Sequence, residues 1–173
     1  MKVFLIGLPG CGKSTVAKGV ANQLGRTFVD LDIEIVKGER QSIASIFAAK
    51  GEAQFRVLEK TCLSKWCARS TDFVMATGGG TPCFLSNMEL MKKSGISIFL
   101  DTDVNEIANR MMNTELAKRP LFAGQDVHTI ASRVEEMHAQ RICFYNQADV
   151  KLTGSQISVD QVVKEILMLE GQS

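Results

Sequence analysis

The chain predicts an α/β domain, a three-layer α/β/α arrangement around a parallel sheet covered on both faces. Three observations lead there. Short apolar runs alternate with amphipathic segments along the whole length. The first apolar run passes directly into a glycine-rich loop and then a helical pattern. The 173 residues are 45% hydrophobic and 23% charged, enough for one core, with no internal repeat, linker or low-complexity tract. Residues 1–173 are therefore read as a single domain.

The elements follow in order. A strand is expected over 3–6, where the run is wholly apolar, as a buried parallel strand requires. Gly7-Leu8-Pro9-Gly10-Cys11-Gly12-Lys13-Ser14-Thr15 then fills every fixed position of the phosphate-binding pattern G-x-x-x-x-G-K-[ST]. Glycines let successive backbone N–H groups turn inward as a nest for anionic oxygens. The helix expected over 13–24, with Val16, Val20 and Leu24 on one face, points its positive end at the same spot. Lys13 can reach the β- and γ-phosphates of a nucleotide, and the Ser14 hydroxyl can ligate Mg²⁺. A second strand is expected over 27–31, with Asp30 and Asp32 at its end. Carboxyl ends of parallel strands face the ligand crevice, so one acid can serve Mg²⁺ through water and the other an acceptor hydroxyl. The competing reading makes the pair a helix N-cap.

Short helices are expected over 33–36 and 43–49, the latter capped by Ser42, and a longer one over 53–68. Phe47, Phe55 and Glu59 recur near Arg56 at helical intervals, a pattern that by itself reads as core packing plus a surface acid. A third strand over 73–76 runs through Thr77 into Gly78, Gly79 and Gly80, which permit close backbone approach to a ligand or simply a tight turn. No acid follows this strand, which shifts metal duty towards Asp30. A helix over 87–93, a strand over 96–100 and a helix over 104–112 come next. Residues 113–126 break the pattern with Pro120 and Gly124; with Lys118 and Arg119 they suggest a lid over a nucleotide. A helix over 127–146, a strand over 150–152 and a helix over 159–169 capped by Ser158 close the chain. Arg56 and Arg141 have the side chain suited to bidentate carboxylate or phosphate contacts, yet each alone reads as a solvated charge.

Net charge is +1, so no broad field for nucleic acid or a membrane surface is expected, and no apolar stretch is long enough to span a bilayer. The 5 cysteines form no C-x-x-C pair and suit a reducing, cytoplasmic setting. The first strand begins so early that no signal peptide is expected. His128 and His138 read as exposed helix residues rather than metal ligands, and Trp66 and the methionines as packing.

The combination of Gly7–Thr15, Asp30–Asp32, Ser42–Phe47, Gly51–Glu59, Gly78–Gly80, Arg119–Phe122 and Arg141–Tyr145, in this order, resembles the shikimate kinases, within the P-loop fold of nucleoside monophosphate kinases. The resemblance implies sheet order 2-3-1-4-5 and ATP-dependent phosphorylation of the 3-hydroxyl of shikimate, in aromatic amino-acid biosynthesis. It implies that Lys13, Asp32 and Arg119 carry catalysis, and that Gly10, Cys11, Gly12, Lys13, Ser14, Thr15, Arg110 and Arg119 bind ATP. Arg56 and Arg141 would clamp the acceptor carboxylate, beside Asp32, Phe47, Phe55, Glu59, Gly78, Gly79, Gly80, Pro120 and Leu121. Mg²⁺ would sit at Ser14 and Asp30, and the enzyme would be a monomer. Substrate-binding helices would span about 33–60 and the lid about 113–126. Cys143 stands where the family commonly has proline, and Gly154-Ser155-Gln156 lacks the proline that often packs on adenine. A related kinase for gluconate or a nucleoside monophosphate, and a nucleotide-binding regulator without catalysis, are the rival readings.

Overall fold

Five parallel strands form the sheet in the order β2-β3-β1-β4-β5. They are β1 (Lys2–Ile6), β2 (Thr27–Asp30), β3 (Phe73–Ala76), β4 (Ile96–Thr102) and β5 (Val150–Gly154). The computed structural model describes residues 1–113 and 127–171. The expected lid therefore lies almost wholly outside the described residues, and with it Lys118, Arg119, Pro120 and Leu121.

The sheet is covered on both faces. Val3, Phe4, Leu5 and Ile6 are consecutive yet all buried, as are the four residues of β3. Successive strand side chains point to opposite faces, so such runs need packing partners on each side. The helices α1 (Lys13–Gln23), α2 (Leu31–Glu39), α3 (Ile43–Cys67), α4 (Asn87–Ser94), α5 (Val104–Asn113), α6 (Val127–Tyr145) and α7 (Val159–Glu170) supply them. Helix α1 packs on β2, β3 and α7, α3 on α2 and α4, and α5 on α6. Trp66 meets Phe73 edge-on at 5.6 Å, and Phe73 meets Phe4 edge-on at 5.5 Å, so Trp66 is a core residue as expected.

Two boundaries differ from expectation in ways that move site residues. Strand β2 ends at Asp30 and α2 begins at Leu31, so Asp32 belongs to the first turn of a helix and not to a strand end. The two helices expected over 43–49 and 53–68 form one element, kinked at Gly51 with φ 75° and ψ 172°. A glycine there lets the chain leave and re-enter the helix without steric penalty. His138 is half-buried rather than exposed: Asp101 at the end of β4 lies 3.3 Å from it and also pairs with Lys151 at 3.0 Å.

Candidate active site

The carboxyl ends of β1, β2 and β3 open onto one cavity of about 820 Å³. One wall is the loop from Pro9 to Thr15; the opposite wall holds Asp30, Asp32, Thr77, Gly78 and Gly79, and Arg110 closes a side with Gln156, Ile157 and Ser158.

The phosphate-binding loop has its expected shape because its glycines take left-handed backbone angles, Gly10 at φ 83° and Gly12 at φ 103°. Gly12 is the N-cap of α1, which begins at Lys13. The Lys13 ammonium is buried and donates to the carbonyls of Gly7 at 2.9 Å and Leu8 at 2.8 Å. Its charge is thereby held in the mouth of the loop. Thr102, at the end of β4, donates to the Cys11 carbonyl at 3.1 Å and ties the loop to the sheet. Arg110 donates to Glu106 at 2.7 Å and to the carbonyls of Cys11 at 3.4 Å and Ser155 at 3.0 Å. It thus spans the phosphate loop and the turn after β5.

Asp30 caps α2, as one of its two expected roles requires, and also bonds Ser14. Its Oδ1 accepts from the Ile33 N–H at 3.3 Å, capping α2, while its Oδ2 accepts from the Ser14 hydroxyl at 2.7 Å. A hydroxyl and a carboxylate oxygen therefore converge beside the phosphate loop. Such hard oxygen donors, few in number, are the chemistry Mg²⁺ prefers when phosphates and water complete its shell. Among the described residues no cluster of three or more His, Cys, Asp or Glu is arranged around one metal position.

A second cluster of candidate residues is built on α3 after its kink. Glu52, Phe55, Arg56 and Glu59 share a stripe at i, i+3, i+4 and i+7. Arg56 is only 13% exposed and Glu59 only 1%, which corrects the reading of both as surface charges. Arg56 donates through Nη1 to Glu59 at 3.0 Å, and through Nε and Nη2 to Glu52 Oε1 at 3.2 and 2.9 Å. Its guanidinium stacks on the Phe84 ring at 4.2 Å from the centroid. Glu59 also accepts from the Thr81 hydroxyl at 2.6 Å, so both carboxylate oxygens of this buried acid are satisfied. Phe47, on the other arm of the kink, packs on Phe55 at 4.5 Å and stays partly exposed.

The glycine triplet is crowded by its neighbours, most rigidly at Gly79 against the Pro9 ring. A Cβ on Gly78 would lie 3.1 Å from both Asp32 Oδ1 and Glu59 Oε1; on Gly79, 2.7 Å from Pro9; on Gly80, 2.7 Å from the Arg56 guanidinium. The three glycines therefore let Asp32, the phosphate loop and Arg56 close around one segment of backbone. Arg141 joins from α6. Burial pushes the Cys83 thiol up to about 11, and Arg141 and then Arg56 pull against that shift, so both guanidiniums bear on one sulfur. The two arginines, remote in sequence, flank the 3₁₀ turn Thr81–Cys83. Pro9, Thr81, Phe84 and Tyr145 were not singled out from sequence; Tyr145 had a signal, lying one helical turn beyond Arg141.

The shikimate kinase family profile matches residues 9–169. A shikimate kinase of Azobacteroides pseudotrichonymphae is 34% identical over 166 residues, 96% of this chain and 97% of that one. The structure of the Bacteroides thetaiotaomicron shikimate kinase superposes with a TM-score of 0.89 at 28% identity, covering 99% of this chain and 98% of that one. The Acinetobacter baumannii shikimate kinase, solved in complex with shikimate, superposes with a TM-score of 0.84 at 30% identity, over 99% and 93% of the two chains.

Proposed function

The chain belongs to the shikimate kinase family, and from that premise we propose how its own residues carry out ATP-dependent phosphorylation of the shikimate 3-hydroxyl. The reaction is a phosphoryl transfer to an alcohol. The observation that supports the residue assignment is the closure of Asp32, Pro9 and Arg56 around Gly78–Gly80, which puts a carboxylate, a phosphate loop and a guanidinium within one molecule's length.

The triphosphate lies along the loop from Gly10 to Thr15, its negative charge met by backbone N–H groups, by Lys13 and by the N-terminus of α1. Arg110 and the turn at Gln156 border the space for the base. Ser14 and Asp30 would hold Mg²⁺, which would supply positive charge against that of the phosphates. Shikimate is a hydroxylated ring with one carboxylate. Arg56 and Arg141 receive the carboxylate, Asp32 takes a hydroxyl and aims its oxygen, and the Gly79 backbone lies alongside. Phe47, Phe55 and Glu59 complete that pocket. Arg119, Pro120 and Leu121 are assigned to its lid on the resemblance in sequence alone. The transition state is loose, so positioning and charge stabilisation carry the rate. No helix among the described residues is long and apolar enough to cross a membrane, and five free thiols fit the reading of a cytosolic enzyme. A monomer is part of the same proposal.

The decisive assay couples ADP release to a readout with and without shikimate. Shikimate-dependent release is expected; ADP release that gluconate or a nucleoside monophosphate supports and shikimate does not would overturn the reading. Arg56→Lys probes the clamp. Lysine keeps the charge but loses the planar fork, so the shikimate KM should rise about tenfold while the ATP KM stays unchanged. An unchanged shikimate KM would return Arg56 to a purely structural pairing with Glu52 and Glu59.

A further inference from the structure

Tyr145 is the only tyrosine of the chain, and it is completely buried at the end of α6. Its ring packs on Phe99 of β4 at 5.0 Å. Its hydroxyl donates to the Gly79 carbonyl at 2.6 Å. The Arg141 guanidinium, one turn earlier on α6, favours ionisation of the same hydroxyl, but burial outweighs it and raises the phenol above its usual range, so it stays a donor. The hydroxyl thus donates to Gly79 with the positive charge of Arg141 acting on it.

Gly79 has neighbours on two further sides. Its Cα lies so near Pro9 that a Cβ would come within 2.7 Å of the proline ring, and the next residue, Gly80, stands equally close to Arg56. A trans peptide holds its N–H opposite its C=O. Anchoring the Gly79 carbonyl on α6 therefore turns the Gly80 N–H away from α6. One hydroxyl sets the tilt of the peptide between the two arginines, and the same peptide touches the phosphate loop.

We propose that Tyr145 is a positioning residue for the phosphoryl acceptor: by bonding the Gly79 carbonyl to the helix that carries Arg141, it registers the carboxylate clamp against the phosphate-binding loop. This rests on the reading above, in which Gly79 and Arg141 meet shikimate. The hydroxyl is assigned no contact with either substrate; it acts through the Gly79 peptide. Without it the Gly79 carbonyl loses a buried partner, while the ring remains packed on Phe99.

Tyr145→Phe, studied in the full chain with each substrate varied, tests this. The shikimate KM should rise about tenfold, kcat should fall by a smaller factor, and the ATP KM should stay within about twofold. A shikimate KM within about twofold of the parent's overturns the proposal. So does a parallel rise of both KM values with a collapsed melting temperature, which is the signature of a scaffold residue. A second measurement needs no mutation. Biosynthetic 3-fluorotyrosine labels this one site, and its ¹⁹F resonance should move on shikimate addition with the saturation seen in the activity assay. A resonance that stays still at saturating shikimate overturns the proposal. An unmodified chain with no shikimate-dependent ADP release defeats the functional reading and this inference with it; an active parent with an indifferent Tyr145→Phe defeats this inference alone.

Discussion

Replacing Asp32 with asparagine should cut kcat by roughly 10²-fold or more while leaving the fold and ATP binding intact. The substitution keeps the shape of the side chain and removes its charge. Asp32 sits in the first turn of α2, where the helix's positive end favours an ionised carboxylate. Its Oδ1 faces the bare Cα of Gly78, at the border between the phosphate loop and the acceptor pocket. A carboxylate there can draw the proton of a hydroxyl and orient the oxygen's lone pair towards the γ-phosphate; a carboxamide can do neither as well. Steady-state rates at saturating shikimate and ATP, with a melting curve as control, check the result. Near-normal turnover would remove Asp32 from the catalytic assignment.

Lys13→Met should lower kcat/KM by roughly 10²–10³-fold, the cost of losing a charge aimed at the transferring group from a preorganised site. Methionine matches the length of the lysine stem, so the buried channel remains filled. The ammonium is held by the Gly7 and Leu8 carbonyls, which position its charge inside the loop without opposing full charges. A group so placed needs little reorganisation when phosphoryl oxygens arrive. Its loss should damage transfer to every acceptor alike, whereas Arg56→Lys should affect shikimate alone. That contrast, read in ADP release across acceptor concentrations, separates the donor half of the site from the acceptor half. A Lys13→Met chain with kcat/KM within a few-fold of the parent's would contradict the loop assignment.

The two halves differed just as much in how far sequence could reveal them. The phosphate loop is contiguous: its glycine angles, lysine and helix start all follow from nine neighbouring residues, so the structure there repeats what the pattern predicts. The alternation of runs likewise made the doubly covered parallel sheet legible, and the resemblance carried the strand order. The proposed carboxylate clamp is different, because Arg56 and Arg141 are brought to the turn Thr81–Cys83 only through the packing of α3 and α6 on it. Periodicity could not distinguish a buried arginine in a stripe with Glu52 and Glu59 from a solvated one. Glu59 was misjudged for the same reason: its burial depends on a threonine hydroxyl 22 residues away. Phe84 was invisible because it stands in an irregular turn beside Leu85 and Ser86, both with positive φ, where no pattern marks which side chain meets Arg56. The glycine triplet was legible as a close approach, but what approaches came only with the fold.

The pairing of Arg56 with Glu52 gives the proposed clamp the character of an ion exchanger. Two of the guanidinium's donors already hold a carboxylate oxygen of the chain's own, and a third holds Glu59. A carboxylate entering at Nε and Nη2 takes the place of Glu52, a half-exposed side chain free to swing into water, while Glu59 stays. The local charge balance is then nearly the same before and after entry. Such a site is insensitive to stray anions that a bare guanidinium would collect, and it admits a guest only when the guest outcompetes an internal counter-ion tethered at high effective concentration.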